Sequence, residues 1–133
     1  MGAAENKTVV LGFVEALSRG NIDAINATLA DDATWWLPGS LPVSGTHKGK
    51  KGIFDGFLAK AAPMFEPHTL SIQVQNTIAE GDCVAVEWIA LGKSAKGKSY
   101  ENYYNVVFEV KNGKIQAVRE YVDTLYAKEV LFS

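Results

Sequence analysis

Two glutamates stand where carboxylates are costly. Glu87 lies in Val-Ala-Val-Glu-Trp-Ile-Ala-Leu and Glu120 in Ala-Val-Arg-Glu-Tyr-Val-Asp, each inside a strand-like run of apolar neighbours. A carboxylate so placed can face water and pair with a base such as Arg119 or Lys93. It can instead face a cavity, where burial and a nearby like charge raise its pKa and make it a general acid or base near neutrality. Register bears on the choice. If Asn112-Gly113 is a two-residue turn, Asn105 sits opposite Glu120; if Lys111-Asn112-Gly113 is a three-residue loop, Tyr104 does. The three-residue register is the more chemical one. It groups Asn102, Tyr104, Val106 and Phe108 with Val118, Glu120 and Val122, an apolar wall bearing an amide, a phenol and a carboxylate. Glu120 is the candidate base, Glu87, across the central strand of the hairpin pair, an at least partly protonated partner that donates to a developing enolate, and Tyr104 or Asn102 a further donor.

Other chemistries are poorly provided for. No Walker, Rossmann, HExxH or GxSxG pattern occurs and no Cys/His cluster, so nucleotide, zinc and serine-hydrolase chemistry lack their spacing. His47 and His68 are solitary, and no metal site is expected. Lys48, Lys50 and Lys51 read as a solvated helix start. Cys83 reads as a small core residue.

The elements that must position the glutamates follow from periodicity. Val10, Phe13, Val14 and Leu17 put one apolar stripe on a helix that ends at Gly20-Asn21. Asn21 caps a second, short helix carrying Ile22, Ile25 and Leu29. Ala33 to Leu37 is a short strand whose Trp35 and Trp36 must face opposite sides, followed by a loop rich in Pro and Gly. Ile53, Phe54, Phe57, Leu58 and Ala61 mark a third helix from Lys51 to about Met64, bounded by Pro63 and Pro67. Strands are expected over His68 to Glu80, Cys83 to Leu91, Ser99 to Val110 and Lys114 to Thr124, with an apolar tail ending at Phe132. This order gives an α+β fold: three N-terminal helices packed on a curled antiparallel β-sheet, with a small-molecule pocket in the concavity. Val84, Val86 and Trp88 alternate with Ala85, Ile89 and Leu91, so both faces of that strand look buried. A homodimer through the outer sheet face is therefore expected, with Val84, Val86 and Trp88 on that face.

The 133 residues make a single domain, 1–133. Thirteen basic against fifteen acidic residues leave a net charge of −2, which offers no electrostatic footprint for nucleic acid. At 47% hydrophobic and 21% charged the composition is that of a globular protein. With one cysteine, no signal-peptide pattern and no long apolar run, the expectation is a cytoplasmic chain that makes no use of a membrane.

Several segments carry a family likeness: Phe13-Val14-Glu15-Ala16-Leu17 with Gly20-Asn21, Leu29-Ala30-Asp31-Asp32-Ala33-Thr34, Ser44-Gly45-Thr46, and Gly113-Lys114-Ile115 running to Glu120-Tyr121-Val122-Asp123. Together they resemble the cone-shaped nuclear-transport-factor-like superfamily, in its SnoaL-like, ketosteroid-isomerase-related branch. The resemblance implies a cone-shaped pocket with Trp35, Leu37, Glu87, Ile89, Asn102, Tyr104, Val118 and Glu120 on its inner side. The superfamily hosts isomerases, polyketide cyclases, dehydratases, epoxide hydrolases and non-catalytic binding domains. The base position of ketosteroid isomerase falls on Leu37 and its donor tyrosine position on Phe13, so that machinery is not carried over. The later catalytic aspartate position of limonene-type epoxide hydrolases falls on Glu120. Their arginine and first aspartate positions fall on Glu87 and Ile89, their water-holding tyrosine on Trp35 and their asparagine on Leu37. Asp123 lies near an acid that SnoaL-like cyclases use, with the opposite parity to Glu120, and is a secondary catalytic candidate.

The resulting expectation is a SnoaL-like acid/base enzyme of isomerase, cyclase or dehydratase type. It acts without cofactor on a small, apolar, carbonyl-bearing ring compound. Glu120, Glu87, Tyr104 and Asp123 are the catalytic candidates; Trp35, Leu37, Ile89, Asn102, Val118 and Phe13 are the substrate-binding ones. The alternatives are a non-catalytic hydrophobic-ligand-binding or dimerisation module and a limonene-type epoxide hydrolase.

Overall fold

The computed structural model describes residues 2–133. The chain opens with α1 (Ala3–Arg19), whose buried stripe of Val10, Phe13 and Val14 faces the sheet. Gly20 ends it in the left-handed region at φ 66°, and Asn21 caps α2 (Ile22–Thr28), its side chain accepting from the Ala24 backbone N–H at 3.1 Å. Strand β1 (Leu29–Leu37) follows at once and starts before the expected Ala33, with Asp31 and Asp32 on exposed strand positions. The Pro/Gly loop then leads into a short strand, β2 (Gly45–Lys48), that periodicity did not reveal.

The third helical region changes its winding three times: α3 (Gly49–Ile53), a π-helical turn (Phe54–Leu58), α4 (Ala59–Ala61) and a 3₁₀ turn (Ala62–Met64). A π turn widens the helix locally and is frequent beside functional sites. It swings Phe57 inward between His47 and Trp35, with ring centroids 5.6 and 5.0 Å away. Gly56 lies against His47, where an added Cβ would meet Nδ1 at 3.0 Å.

Four long strands complete the sheet: β3 (Ser71–Glu80), β4 (Cys83–Lys93), β5 (Ser99–Lys111) and β6 (Lys114–Val122). The order is β2-β1-β6-β5-β4-β3. All neighbours pair antiparallel except β1 and β6, which are parallel, so the expected α+β fold on a curled sheet holds with one parallel pair in it. The apolar tail is helical. It forms α5 (Thr124–Leu131), which Asp123 caps by accepting from the Tyr126 backbone N–H at 3.1 Å.

Neither expected hairpin register is the one adopted. Asn112 and Gly113 both have positive φ, 51° and 76°, as a tight two-residue turn requires, and Lys111 pairs with Lys114. A bulge then slips the ladder by one: Val110 pairs with Ile115 but Glu109 with Ala117, leaving Gln116 as the extra residue. Glu120 therefore faces Val106, and Tyr104 faces Val122. A slip of two positions from the chosen register keeps every side chain on its face, so the grouping survives although the pairing does not.

Strand β4 overturns a second expectation. Val84, Val86, Trp88 and Ala90 are buried under the helices, which puts Glu87 and Ile89 on the outer face. Both alternating sets are apolar enough to bury, but only the inward choice of Val84, Val86 and Trp88 avoids driving a carboxylate into the core. Cys83 is exposed beside the Gly81-Asp82 turn, not in the core.

Candidate functional site

The concave face of the sheet, α2, the π turn and α5 enclose a cavity of about 400 Å³. Its wall is almost wholly apolar and aromatic, with Trp35, Leu37, Phe57, Trp88, Ala90 and Val122 from the sheet and π turn and Ala127, Leu131 and Phe132 from the C-terminal segment. Among the described residues no lysine, arginine or histidine lines it. The ionisable groups that reach it are Glu120, the phenols of Tyr100 and Tyr104, and Asp55, which is otherwise exposed.

Glu120 is the chemical centre. It is 7% exposed, and Trp35 Nε1 donates to its Oε1 at 3.1 Å. Oε2 has no hydrogen-bond partner among the described residues and is left to the cavity. Burial raises the carboxyl from its ordinary 4.5 to about 7, and the indole N–H draws it partly back. Arg119 cannot neutralise it. The alternation of β6 turns that guanidinium outward to Glu109, with which it forms an ion pair.

Beside Glu120, β5 contributes alternate residues Tyr100, Asn102 and Tyr104. The two phenol oxygens are 2.7 Å apart, and Asn102 Nδ2 donates to Tyr100 Oη at 2.9 Å. Burial pushes Tyr100 up to about 12 and holds Tyr104 well above the usual phenol range, so both stay protonated at neutral pH. Tyr104 also stacks on Trp88, with ring centroids 5.5 Å apart.

Of the residues the sequence nominated, Glu120, Tyr104, Trp35 and Leu37 come together in the cavity wall. Phe13 and Val118 are buried in the layer behind it, Phe13 packing on Trp35 and Phe108. Asn102 is buried but spends its amide on protein groups and does not line the cavity. Three nominations are corrected. Glu87 is exposed on the outer face and accepts from Asn76 Nδ2 at 3.2 Å, so it does not face Glu120. Ile89 shares that outer face. Asp123 is an exposed helix cap, and its carboxylate serves α5.

Tyr100 was missed. It precedes Asn102 and Tyr104 at the same alternating spacing, which parity alone would have added to the wall. Trp88 was missed because β4 was read with the wrong face inward. The contribution of α5 was missed as well, because the sequence marks that segment only as an apolar tail.

A curled six-stranded sheet wrapped around a blind apolar pocket, with helices closing the open side, defines the cone-shaped α+β class. The profile of the SnoaL-like domain matches residues 10–118, and the chain belongs to that family. An NTF2-like protein from Burkholderia xenovorans is 30% identical, with 98% of each chain covered and a TM-score of 0.82. TerC, crystallised with polyporic acid, shares the fold at 22% identity and a TM-score of 0.85, covering 97% of this chain and 99% of TerC. A putative SnoaL-like polyketide cyclase from Jannaschia does so at 18% identity and a TM-score of 0.79, covering 97% and 92%. No curated protein sequence matches this chain.

Proposed function

We propose that this SnoaL-like protein is an acid/base enzyme that abstracts a proton next to the carbonyl of a small, apolar ring compound. One observation carries the reading: a carboxyl with a pKa of about 7, held by Trp35 and with one oxygen free, at the wall of an otherwise apolar cavity. A base near neutral pKa is ionised often enough to accept a proton and acidic enough to return it.

In the reaction, Glu120 Oε2 takes the proton from the carbon beside the carbonyl and the C–H electron pair becomes the enolate. The carbonyl oxygen, gaining charge, accepts a hydrogen bond from the tyrosine pair on β5. Return of the proton from Glu120 to a different carbon completes an isomerisation; attack of the enolate carbon on a second carbonyl of the same molecule gives a cyclisation, the proton passing to the new alkoxide. The apolar wall excludes water that would otherwise solvate the carboxylate and blunt its basicity. The cavity's lack of cationic side chains favours an uncharged ligand over a phosphate or carboxylate. Epoxide hydrolysis finds less support, because the cavity-facing residues of β4 are Trp88 and Ala90, neither able to act as a second acid.

Deuterium exchange at the α-carbon of the bicyclic ketone 1-tetralone, followed by NMR, tests this. The rate should rise with pH through about 7 and level off as Glu120 ionises, and Glu120→Gln should abolish it. Equal exchange by the two proteins, or none by either across a panel of ring ketones that bind, would leave a non-catalytic binding module.

A further inference from the structure

Among the described residues every charge that reaches the cavity is negative. Glu120 stands on its wall, nine-tenths buried and with Oε2 unbonded. Asp55 marks the side open to water. The exposed lining residues are Asp55, Gly20, Ile22, Ala59 and Ala62, so the mouth lies between the α1–α2 turn and the π turn with α4. Nothing cationic faces Glu120 from any element packed around it. There β1 and β4 offer indoles, β5 the two protonated phenols and the π turn Phe57 and the Asp55 carboxylate, while α1, α2 and α5 offer only apolar side chains. His47 on β2 lies outside the lining, stacked on Phe57 with Nε2 donating to the Val43 carbonyl at 2.7 Å. The fold thus holds a desolvated carboxyl for which it provides no counter-ion.

We propose that the cavity is a host for lipophilic cyclic amines, bound as ammonium ions with the cationic nitrogen on Glu120 Oε2 and the hydrocarbon against the aromatic wall. A buried ion pair ordinarily gains little, because both partners must leave water. Here folding has already stripped the carboxyl of most of its water, so only the hydration of the amine opposes binding, and the incoming charge compensates one that stood alone. The N⁺–H···O⁻ bond that forms is of the stronger, charge-assisted kind. Trp35, Phe57, Trp88 and Tyr104 surround the site, and the face of an aromatic ring attracts a cation. Asp55 at the mouth draws the same sign of charge inward. A ketone supplies no charge and leaves Glu120 unpaired. The inference goes beyond the proposed enzyme activity. It rests on the placement of Glu120 and not on catalysis, and it holds equally for an enzyme, which such an amine would inhibit, and for a binding module.

Isothermal titration calorimetry tests this with 2-aminotetralin against 2-tetralol, which has the same two rings and a neutral hydroxyl. Pairing needs the ionised carboxyl. The affinity for the amine should therefore rise about tenfold per pH unit from acid pH toward about 7 and level off above it, where an alkylammonium of pKa about 10 is still charged. Below neutrality each amine bound should release a proton to the buffer. The alcohol should show no such rise, and at pH of about 8 should bind roughly tenfold more weakly than the amine or worse. Glu120→Gln should lower the amine to the level of the alcohol and flatten its pH profile, while continued binding of the alcohol shows that the variant is folded. The wild-type profile is decisive without any variant: no binding of the amine, equal affinity for the two ligands, or an amine affinity independent of pH overturns the inference. Asp55→Asn should weaken the amine only slightly. An amine preference lost in Asp55→Asn and kept in Glu120→Gln would place the cation at the mouth and overturn it as well. Failure of the catalytic reading looks different: no α-proton exchange on 1-tetralone, with the amine preference and its pH profile as expected.

Discussion

Glu120 ties function to a measurable stability cost. Its folded-state pKa lies above the ordinary value, so the folded protein keeps a proton that the unfolded chain has released between pH of about 4.5 and about 7. Stability must therefore fall as pH rises through that window and level off above it, by about 3 kcal/mol for a shift of this size. Glu120→Gln keeps an oxygen for the Trp35 N–H and carries no charge. Urea unfolding at several pH values should show the wild type losing stability toward alkaline pH, and the variant holding level and becoming the more stable protein above neutrality. The reverse slope would mean that the carboxylate is stabilised in the fold and cannot serve as a base near pH 7. Glu87 supplies the contrast. Exposed, with its carboxylate accepting from Asn76, it should be replaceable by Gln with a change within about 0.5 kcal/mol and no effect on ketone exchange. A large loss of exchange in Glu87→Gln would contradict its placement on the outer face.

At the scale of elements, α5 depends on Asp123 for its start and on the cavity for its packing. The cap accepts from the Tyr126 N–H, Ala127, Leu131 and Phe132 close the pocket, and the Asp123 carbonyl anchors Asn102. Asp123→Ala removes the side-chain cap and leaves the carbonyl, so it should cost about 1 kcal/mol by urea denaturation. Glu120 should titrate as before in carboxyl NMR, because Asp123 takes no part in setting its pKa. A marked shift of that titration would restore Asp123 as an active acid. The bulge at Gln116 has the opposite kind of importance. A tight Asn112-Gly113 turn without it would pair Asn105 with Glu120 and drive the carboxylate outward, so one extra residue reconciles the turn with an inward base.

For the whole molecule, the reversal of β4 changes the case for a dimer without removing it. Val84, Val86 and Trp88 are satisfied inside, so they ask for no partner. The outer face retains Ile78, Tyr103 and Tyr121 at 63%, 59% and 45% exposed, with Ile89 and Val107 half-buried beside them. Its charges are largely spent locally, in the Arg119–Glu109 pair and in the Glu101 carboxylate that accepts from Tyr103. A second copy of the chain is expected to cover that surface. Light scattering at micromolar concentration should report about twice 14.4 kDa, and Tyr103→Arg should halve it. A wild-type monomer would show that the surface tolerates water.

What the sequence determined by itself is whatever short-range periodicity and local chemistry dictate. The stripe of Val10, Phe13 and Val14, the Asn21 cap, and the opposed faces of Trp35 and Trp36 all follow from spacing within a few residues. The family resemblance rested on the same local segments. Tertiary structure alone decided the questions in which two faces or two registers were locally equal. Strand β4 is apolar on both sides, so only burial of one set against α1 could send Glu87 to the outside. The turn at Asn112-Gly113 is compatible with more than one ladder, and the bulge that selects the inward Glu120 is visible only once β6 is held between β5 and β1. The pKa of Glu120 belongs to this second class. A glutamate in a strand has an ordinary acidity until helices, π turn and α5 close over it, and it is the loss of water around the carboxylate that makes it a base near neutral pH.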